Sequence, residues 1–106
     1  MHNPVTRYFD MWNTGDVSIA REVLSPHWVD HAHPEIDSIG GVEDAVRAIR
    51  GLTFHIDSVL SAGDGNLVAV VGRVGPNSLI WLVRLEDGLM AEMWTYTTNA
   101  PATADE

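Results

Sequence analysis

The 106-residue chain carries 15 acidic and 6 basic residues, a formal net charge of −9, and 45% of its residues are hydrophobic. This composition suits one globular domain with its own core. The scattered basic residues exclude the basic stripe that nucleic-acid binding requires, and an acidic surface would be repelled by anionic lipid. Because no apolar run has the length of a bilayer span either, we expect neither nucleic acid nor a membrane among the partners.

The amino terminus, from Met1 to Trp12, lacks the basic start and the apolar core of a signal peptide, and the chain contains no cysteine. These features favour a cytoplasmic protein. We expect one domain over residues 1–99 and a frayed acidic tail over residues 100–106.

Two short helices are predicted at the start of the chain. Apolar and aromatic side chains recur there at helical spacing: Val5, Tyr8, Phe9 and Trp12. This pattern predicts an amphipathic helix over Pro4–Asn13. Gly15 breaks it, and Asp16 is placed to cap a second helix that runs through Leu24.

The next segment is predicted to be a short strand, a loop and a helix. The strand covers Val29–Ala32 and ends before Pro34, which cannot donate a backbone hydrogen bond. A loop over Glu35–Gly41 then leads into a third helix over Val42–Ile49, whose apolar residues again follow helical spacing.

Four strands are predicted in the second half of the chain: Thr53–Leu60, Leu67–Val74, Leu79–Leu85 and Leu89–Thr97. Short turns join them, and Asp87-Gly88 supplies the two positive-φ positions of a tight hairpin. Consecutive strands with short links pair as antiparallel neighbours. The order of elements therefore predicts an α+β fold with the helices on one face of the sheet.

Three motifs carry a resemblance to a known family: YFDMWNTGD at 8–16, VDHAHP at 29–34 and RLEDGLMAEMW at 84–94. The chain resembles SnoaL-like proteins, often called polyketide cyclases, within the nuclear-transport-factor-2-like superfamily. The resemblance implies a cone-like α+β barrel, in which a curved antiparallel sheet packs on three amino-terminal helices and leaves a pocket. It also implies cyclisation or isomerisation of a modest, apolar, carbonyl-containing metabolite by proton transfer without a cofactor.

One departure from the family concerns its acid/base group. In SnoaL-like cyclases an aspartate lies three residues before the arginine that opens the last motif, and here that position holds Trp81. The family histidine near the end of the preceding strand has no counterpart, since Arg73 is the only ionisable group there. The alternative interpretation is a non-catalytic ligand-binding or dimerisation module, because one fold hosts unrelated functions.

His31 matches the family's pocket-facing histidine and is the candidate general base, since imidazole titrates near neutral pH. Strand alternation would place His33 on the same face as His31, where it could contact the ligand, and Asp30 on the opposite face. A structural role is also open for each histidine. His31 could be a hydrogen-bonding residue of a half-buried strand, and His33 could be an exposed residue at the end of the strand.

Arg73 ends an otherwise apolar row of its strand. It could stabilise an enolate at the mouth of the pocket, or it could be a rim charge at a subunit interface. Glu92 shares strand parity with Met90, Trp94 and Tyr96, and this row could form a site wall or a pairing surface.

Aromatic residues could line a pocket for a flat, apolar ligand, or they could be plain core. The candidates are Tyr8, Trp12, Trp28, Trp81 and Trp94. Trp81 is expected to fill or floor the cavity. Homodimerisation through the exposed sheet face is expected because helices on one side leave a second apolar face. No metal is expected, since the spacing of the histidines around Asp30 matches no established zinc signature.

Overall fold

The computed structural model describes residues 4–49 and 52–97, which form three helices and five strands. In chain order these are α1 (Pro4–Thr14), α2 (Ser18–Val23), β1 (Leu24–Asp30), α3 (Ile39–Ala48), β2 (Phe54–Ala62), β3 (Leu67–Val74), β4 (Asn77–Glu86) and β5 (Leu89–Thr97). None of these helices has the length and apolar content that a membrane crossing requires. The predicted acidic tail, residues 100–106, lies outside the described residues.

The strands form one curved, open sheet in the order β1-β5-β4-β3-β2. Strands β2 to β5 are antiparallel neighbours, as the short links between them predict. The predicted α+β fold is confirmed. The sheet is nevertheless mixed, because β1 runs parallel to β5, with Val29 opposite Glu92.

The helices cover one face of the sheet, which we call the inner face. Buried side chains from both layers form a single core that includes Val5, Phe9, Met11, Val46, Val68, Val70, Val83 and Met90. Each such apolar side chain contributes roughly 1.5–3 kcal/mol when it leaves water. The opposite face of the sheet, which we call the outer face, carries no helix in the described chain.

The first strand differs most from its prediction. Leu24, expected in the second helix, begins β1, and the strand ends at Asp30 instead of continuing to Ala32. The backbone bends there because Asp30 satisfies the following amides locally. Its Oδ1 accepts a hydrogen bond from the Ala32 N–H at 3.0 Å, and its carbonyl accepts one from the His33 N–H at 3.2 Å. Such an Asx turn competes with strand pairing.

The third helix starts three residues earlier than predicted. Ser38 is its N-cap, and the Ser38 hydroxyl accepts a hydrogen bond from the Gly41 N–H at 2.9 Å. This cap offsets the low helix propensity of the two glycines in the first turn. In the last hairpin, Asp87 and Gly88 have φ angles of 54° and 78°, as the turn sequence predicts.

A bulge interrupts the pairing of β4 with β5. Arg84 lies opposite Glu92, but Leu85 lies opposite Met90, so that Ala91 is the extra residue. The extra residue reverses the alternation of β5, because side chains change face at every position. The predicted common face of Met90 and Glu92 is therefore wrong: Met90 belongs to the core, and Glu92 lies on the outer face.

Candidate functional site

A cavity of about 450 Å³ lies between the helices and the inner face of the sheet. Its walls are aromatic and aliphatic, and its polar lining residues are Asp30, His33, Glu35, Asn77 and Thr95. This size and this mainly apolar lining are typical of small-molecule sites.

Aromatic rings form one wall of the cavity. The Phe9 ring centroid lies 4.7 Å from that of Trp81 and 5.5 Å from that of Phe54, and Tyr8 and Trp12 complete the group. Trp81 is buried and floors the cavity without filling it. The Trp81 ring fits there because Gly72 faces it: a Cβ atom built at Gly72 would lie 3.1 Å from Cζ3 of the indole.

Two carboxyl residues line the cavity, and of these Asp30 is buried whereas Glu35 is exposed. Asp30 occupies the last position of β1 and is only 5% exposed. Burial raises the pKa of the Asp30 carboxyl, and the hydrogen bond from Ala32 and the positive charge available to His33 oppose this effect. A desolvated carboxyl with a raised pKa at the wall of a cavity is suited to general acid/base chemistry.

Tyr8 is a buried residue of the same cavity lining. Burial raises the pKa of the Tyr8 phenol far above its ordinary range, and a hydrogen bond with Trp12 only partly offsets this effect. The phenol therefore keeps its proton and can donate it in a hydrogen bond. Tyr8 is thus a neutral hydrogen-bond donor at the cavity wall.

His33 also lines the cavity, but it is well exposed, and its Nδ1 lies 3.5 Å from Oε2 of Glu35. It follows β1 in the turn and is not a residue of the strand. Within residues 4–49 and 52–97, no three histidine, aspartate or glutamate side chains are grouped so that they could hold a metal ion.

His31 lies on the outer face and does not line the cavity. Its Nε2 is 2.6 Å from Oε2 of Glu92, and its ring stacks on Trp94 with centroids 5.0 Å apart. Oε1 of Glu92 accepts a hydrogen bond from Nε of Arg84 at 2.9 Å. The His31 and Arg84 contacts hold the pKa of the Glu92 carboxyl below its usual value. Glu92 and Trp94, two predicted ligand contacts, therefore lie away from the cavity.

The predicted faces of Asp30 and His31 are wrong in the structure. The parity argument assumed a strand through Ala32 with His31 turned toward the ligand. Instead the inner face takes Trp28 and Asp30, both buried, whereas Val29 is exposed. A usable signal was present in the sequence, because a large aromatic residue such as Trp28 marks the buried face of a half-buried strand, and Asp30 shares its parity.

Two other predicted site residues lie outside the cavity lining. Arg73 is on the outer face of β3, where its Nη2 lies 3.1 Å from Oδ1 of Asp57 on β2. This ion pair lowers the pKa of the Asp57 carboxyl. Trp28 is buried behind Tyr8, with ring centroids 5.7 Å apart, and its Nε1 has no hydrogen-bond partner among the described residues.

Comparison with known proteins agrees with this architecture. No curated protein matches the sequence. Among solved structures, a candidate polyketide cyclase from Sinorhizobium meliloti is 16% identical, with 91% of this chain and 95% of that chain covered at a TM-score of 0.76. A SnoaL-like polyketide cyclase from Agrobacterium tumefaciens is 12% identical, with 97% of each chain covered at a TM-score of 0.70. TsrD from Streptomyces laurentii is 22% identical, with 89% of this chain and 84% of that chain covered at a TM-score of 0.69.

These similarities, at such low identity, concern the fold alone. The family assignment has a separate basis in the sequence. The family model of the SnoaL-like domain matches residues 5–93. That match covers most of the chain and all three motifs, apart from Trp94 at the end of the last. The chain therefore belongs to the SnoaL-like domain family.

Proposed function

We propose that this protein is a cofactor-independent cyclase or isomerase that acts on a small, apolar, carbonyl-containing metabolite of polyketide type by proton transfer. The observation that supports it is Asp30, a buried carboxyl group with a raised pKa in the lining of an aromatic-walled cavity. The reacting base in this proposal is Asp30, since His31 does not line the cavity.

The reaction begins when the Asp30 carboxylate takes a proton from the carbon next to a ligand carbonyl. The electron pair of the broken C–H bond moves into the new C=C bond, and the carbonyl oxygen becomes an enolate oxygen. In a cyclase, the enolate carbon then attacks a second carbonyl of the same ligand, and the resulting alkoxide takes the proton back from Asp30. In an isomerase, the ligand carries a C=C bond beside that carbon, Asp30 returns the proton to the far carbon of the resulting dienolate, and the C=C bond moves next to the re-formed carbonyl. Both routes leave Asp30 as it began.

Tyr8 would stabilise the enolate in either route. Its phenol stays protonated because burial raises its pKa, and packing against the rings of Phe9 and Trp28 holds the side chain in place. A fixed, neutral donor in an apolar cavity stabilises a developing oxyanion without first having to reorganise. Asp30 as base and Tyr8 as donor thus divide the two tasks of the reaction.

The test compares two matched substitutions of aspartate by asparagine. Asp30→Asn preserves the shape of the side chain and an oxygen for the Ala32 N–H, but it removes the base. Asp57→Asn makes the same change at an exposed carboxyl on the outer face. The assay follows deuterium incorporation into the α-carbon of β-tetralone in D₂O by NMR. We expect Asp30→Asn to slow exchange by about 10²–10⁴-fold, the usual contribution of a positioned base, and Asp57→Asn to leave it unchanged.

Equal exchange rates for the two variants would contradict the proposal. The alternative function, a non-catalytic ligand-binding module, is favoured by Trp81, which occupies the position of the family's acid/base aspartate. Trp12 and Trp81 line the cavity, so a bound ligand should change their fluorescence. Wild-type protein that binds β-tetralone by this measure without accelerating its exchange would point to the binding module.

The proposal includes a homodimer formed through the outer face. Apolar side chains there are exposed in the single chain: Leu60 on β2 is 61% exposed and Tyr96 on β5 is 51% exposed. A second copy would cover this apolar surface. Sedimentation of a dimer that Leu60→Glu converts to monomer would support this arrangement, and a wild-type monomer would contradict it. A cytoplasmic location and a place in secondary metabolism remain predictions.

A further inference from the structure

A cluster of side chains on the outer face lies directly behind the cavity. The His31 imidazole contacts Glu92 through Nε2 at 2.6 Å and lies parallel to the Trp94 ring, with an interplanar angle of 8°. Arg84 fixes the other oxygen of Glu92 at 2.9 Å. The imidazole is therefore restrained in its plane by a carboxylate and across its face by an indole, and both partners belong to β5.

His31 opens the turn between Asp30 and His33, which both line the cavity. It follows Asp30 directly, and His33 comes two positions later. The backbone N–H of His31 donates to the carbonyl of Met93 at 3.0 Å, and the next N–H, of Ala32, donates to Oδ1 of Asp30 at 3.0 Å. One short chain of contacts thus joins the outer cluster to the carboxyl oxygen in the cavity.

We infer that His31 is a positioning residue, whose imidazole, held by Glu92 and Trp94 on the outer face, fixes the turn that presents the Asp30 carboxyl to the cavity. This inference rests on the proposed function, in which Asp30 is the base. It gives His31 no proton to transfer and no contact with the ligand.

Removing the His31 imidazole should affect catalysis more than folding. An exposed ion pair contributes little to folding, so removing the imidazole should leave the protein folded. Catalysis is more sensitive, because a displacement of a reacting group by about 1 Å can cost about 100-fold in rate. We therefore expect His31→Ala to lower kcat for β-tetralone exchange by roughly 10- to 100-fold, with much less change in KM.

Rescue by His31→Gln separates positioning from catalysis. The glutamine amide can donate to Glu92 and lie flat on Trp94, but it cannot accept and carry a proton as imidazole does. Positioning predicts that His31→Gln recovers most of the kcat that His31→Ala loses. The matched control is His27→Ala, at a largely exposed histidine of β1 whose Nδ1 lies 3.8 Å from Oε1 of Glu86 and which does not line the cavity. It should leave kcat unchanged.

A second measurement follows the turn without depending on activity. In His31→Ala the backbone amides of residues 31–33 should exchange with deuterium faster than in wild type, and in His31→Gln they should return toward the wild-type rate. Faster exchange that glutamine reverses supports the inference even if Asp30→Asn shows that the proposed chemistry is wrong. If His31→Gln is as inactive as His31→Ala while amide exchange stays at the wild-type rate, His31 itself transfers the proton and the inference fails. Wild-type kcat and amide exchange in His31→Ala would overturn it as well.

Discussion

Asp30 and His31 are neighbours in the chain, yet they lie on opposite faces of the sheet in opposite electrostatic surroundings. Asp30 is 5% exposed among apolar and aromatic side chains, and its carboxyl has a raised pKa. His31 is 42% exposed and has an ionisable partner in Glu92, whose pKa is lowered. Burial without a close positive partner raises the pKa of a carboxyl group and suits it to proton transfer. Close pairing with a positive group lowers the pKa and keeps the carboxylate ionised.

Packing also distinguishes the two faces. The inner face brings Trp81, Phe9 and Phe54 into contact above Gly72, so that its side chains have little freedom. The outer face carries the Arg73–Asp57 and Arg84–Glu92 pairs, which are at least partly exposed. Changes on the inner face should therefore reduce folding stability strongly, and comparable changes on the outer face should reduce it weakly.

The largest effect is expected for Gly72→Ala. A methyl group at this position would overlap the backbone oxygen of His55 on β2 and press on the Trp81 ring. A backbone atom of a paired strand cannot move aside easily, so we expect a loss of roughly 3 kcal/mol in unfolding free energy, measured by urea denaturation.

Gly40→Ala is the matched control for that substitution. Gly40 lies in the first turn of α3, where an added Cβ would meet only the Ser38 hydroxyl at 4.0 Å. Alanine should be neutral there or stabilising by about 0.5 kcal/mol, because it favours the helix. Equal destabilisation by the two substitutions would mean that the inner face is not closely packed at Gly72.

A smaller effect concerns the pH dependence of stability, which should have opposite signs for the two faces. The folded pKa of Asp30 is raised, so its contribution is fully present below its unfolded pKa of about 3.9 and is lost as the pH rises through the folded value. The folded pKa of Glu92 is lowered, so its contribution is present above its unfolded pKa of about 4.3 and is lost as the pH falls through the folded value.

Urea denaturation of wild type, Asp30→Asn and Glu92→Gln between about pH 3 and pH 7 measures these contributions. As the pH rises, the stability of wild type relative to Asp30→Asn should fall, and its stability relative to Glu92→Gln should grow. Curves of the same sign for both variants would show that Asp30 is not desolvated in the folded protein.

Much of the fold can be predicted from local patterns in the sequence. The strands β3 and β5 were predicted with their observed bounds, because alternating apolar residues and the Asp87-Gly88 turn act over a few neighbouring residues. The parallel pairing of β1 with β5 joins residues far apart in the chain, and no local pattern predicts it. The early start of α3 depends on a single hydrogen bond to the Ser38 hydroxyl, which offsets the low helix propensity of two glycines.

The candidate site was harder to predict because single residues decide which face a side chain takes. The Asx turn at Asp30 ends β1 early, and the bulge at Ala91 reverses part of β5. The bulge exchanges the two faces for the residues on one side of it, whereas at the end of β1 the alternation is regular and Trp28 decides which parity faces inward. Tyr8, Trp12 and Trp81 do line the cavity, because large aromatic residues at helical or strand spacing turn toward the core; their contact with a ligand stays a prediction.

The smallest effect is expected for Arg73→Gln. Arg73 was a candidate for enolate stabilisation from its strand parity alone, but its guanidinium binds Asp57 on the outer face and does not line the cavity. Its removal breaks an exposed ion pair, and such pairs contribute little to folding. Arg73→Gln should leave the rate of β-tetralone exchange at the wild-type value and shift the urea midpoint only slightly, as should Asp57→Asn. A large loss of rate in Arg73→Gln, without the same loss in Asp57→Asn, would show that Arg73 reaches the ligand.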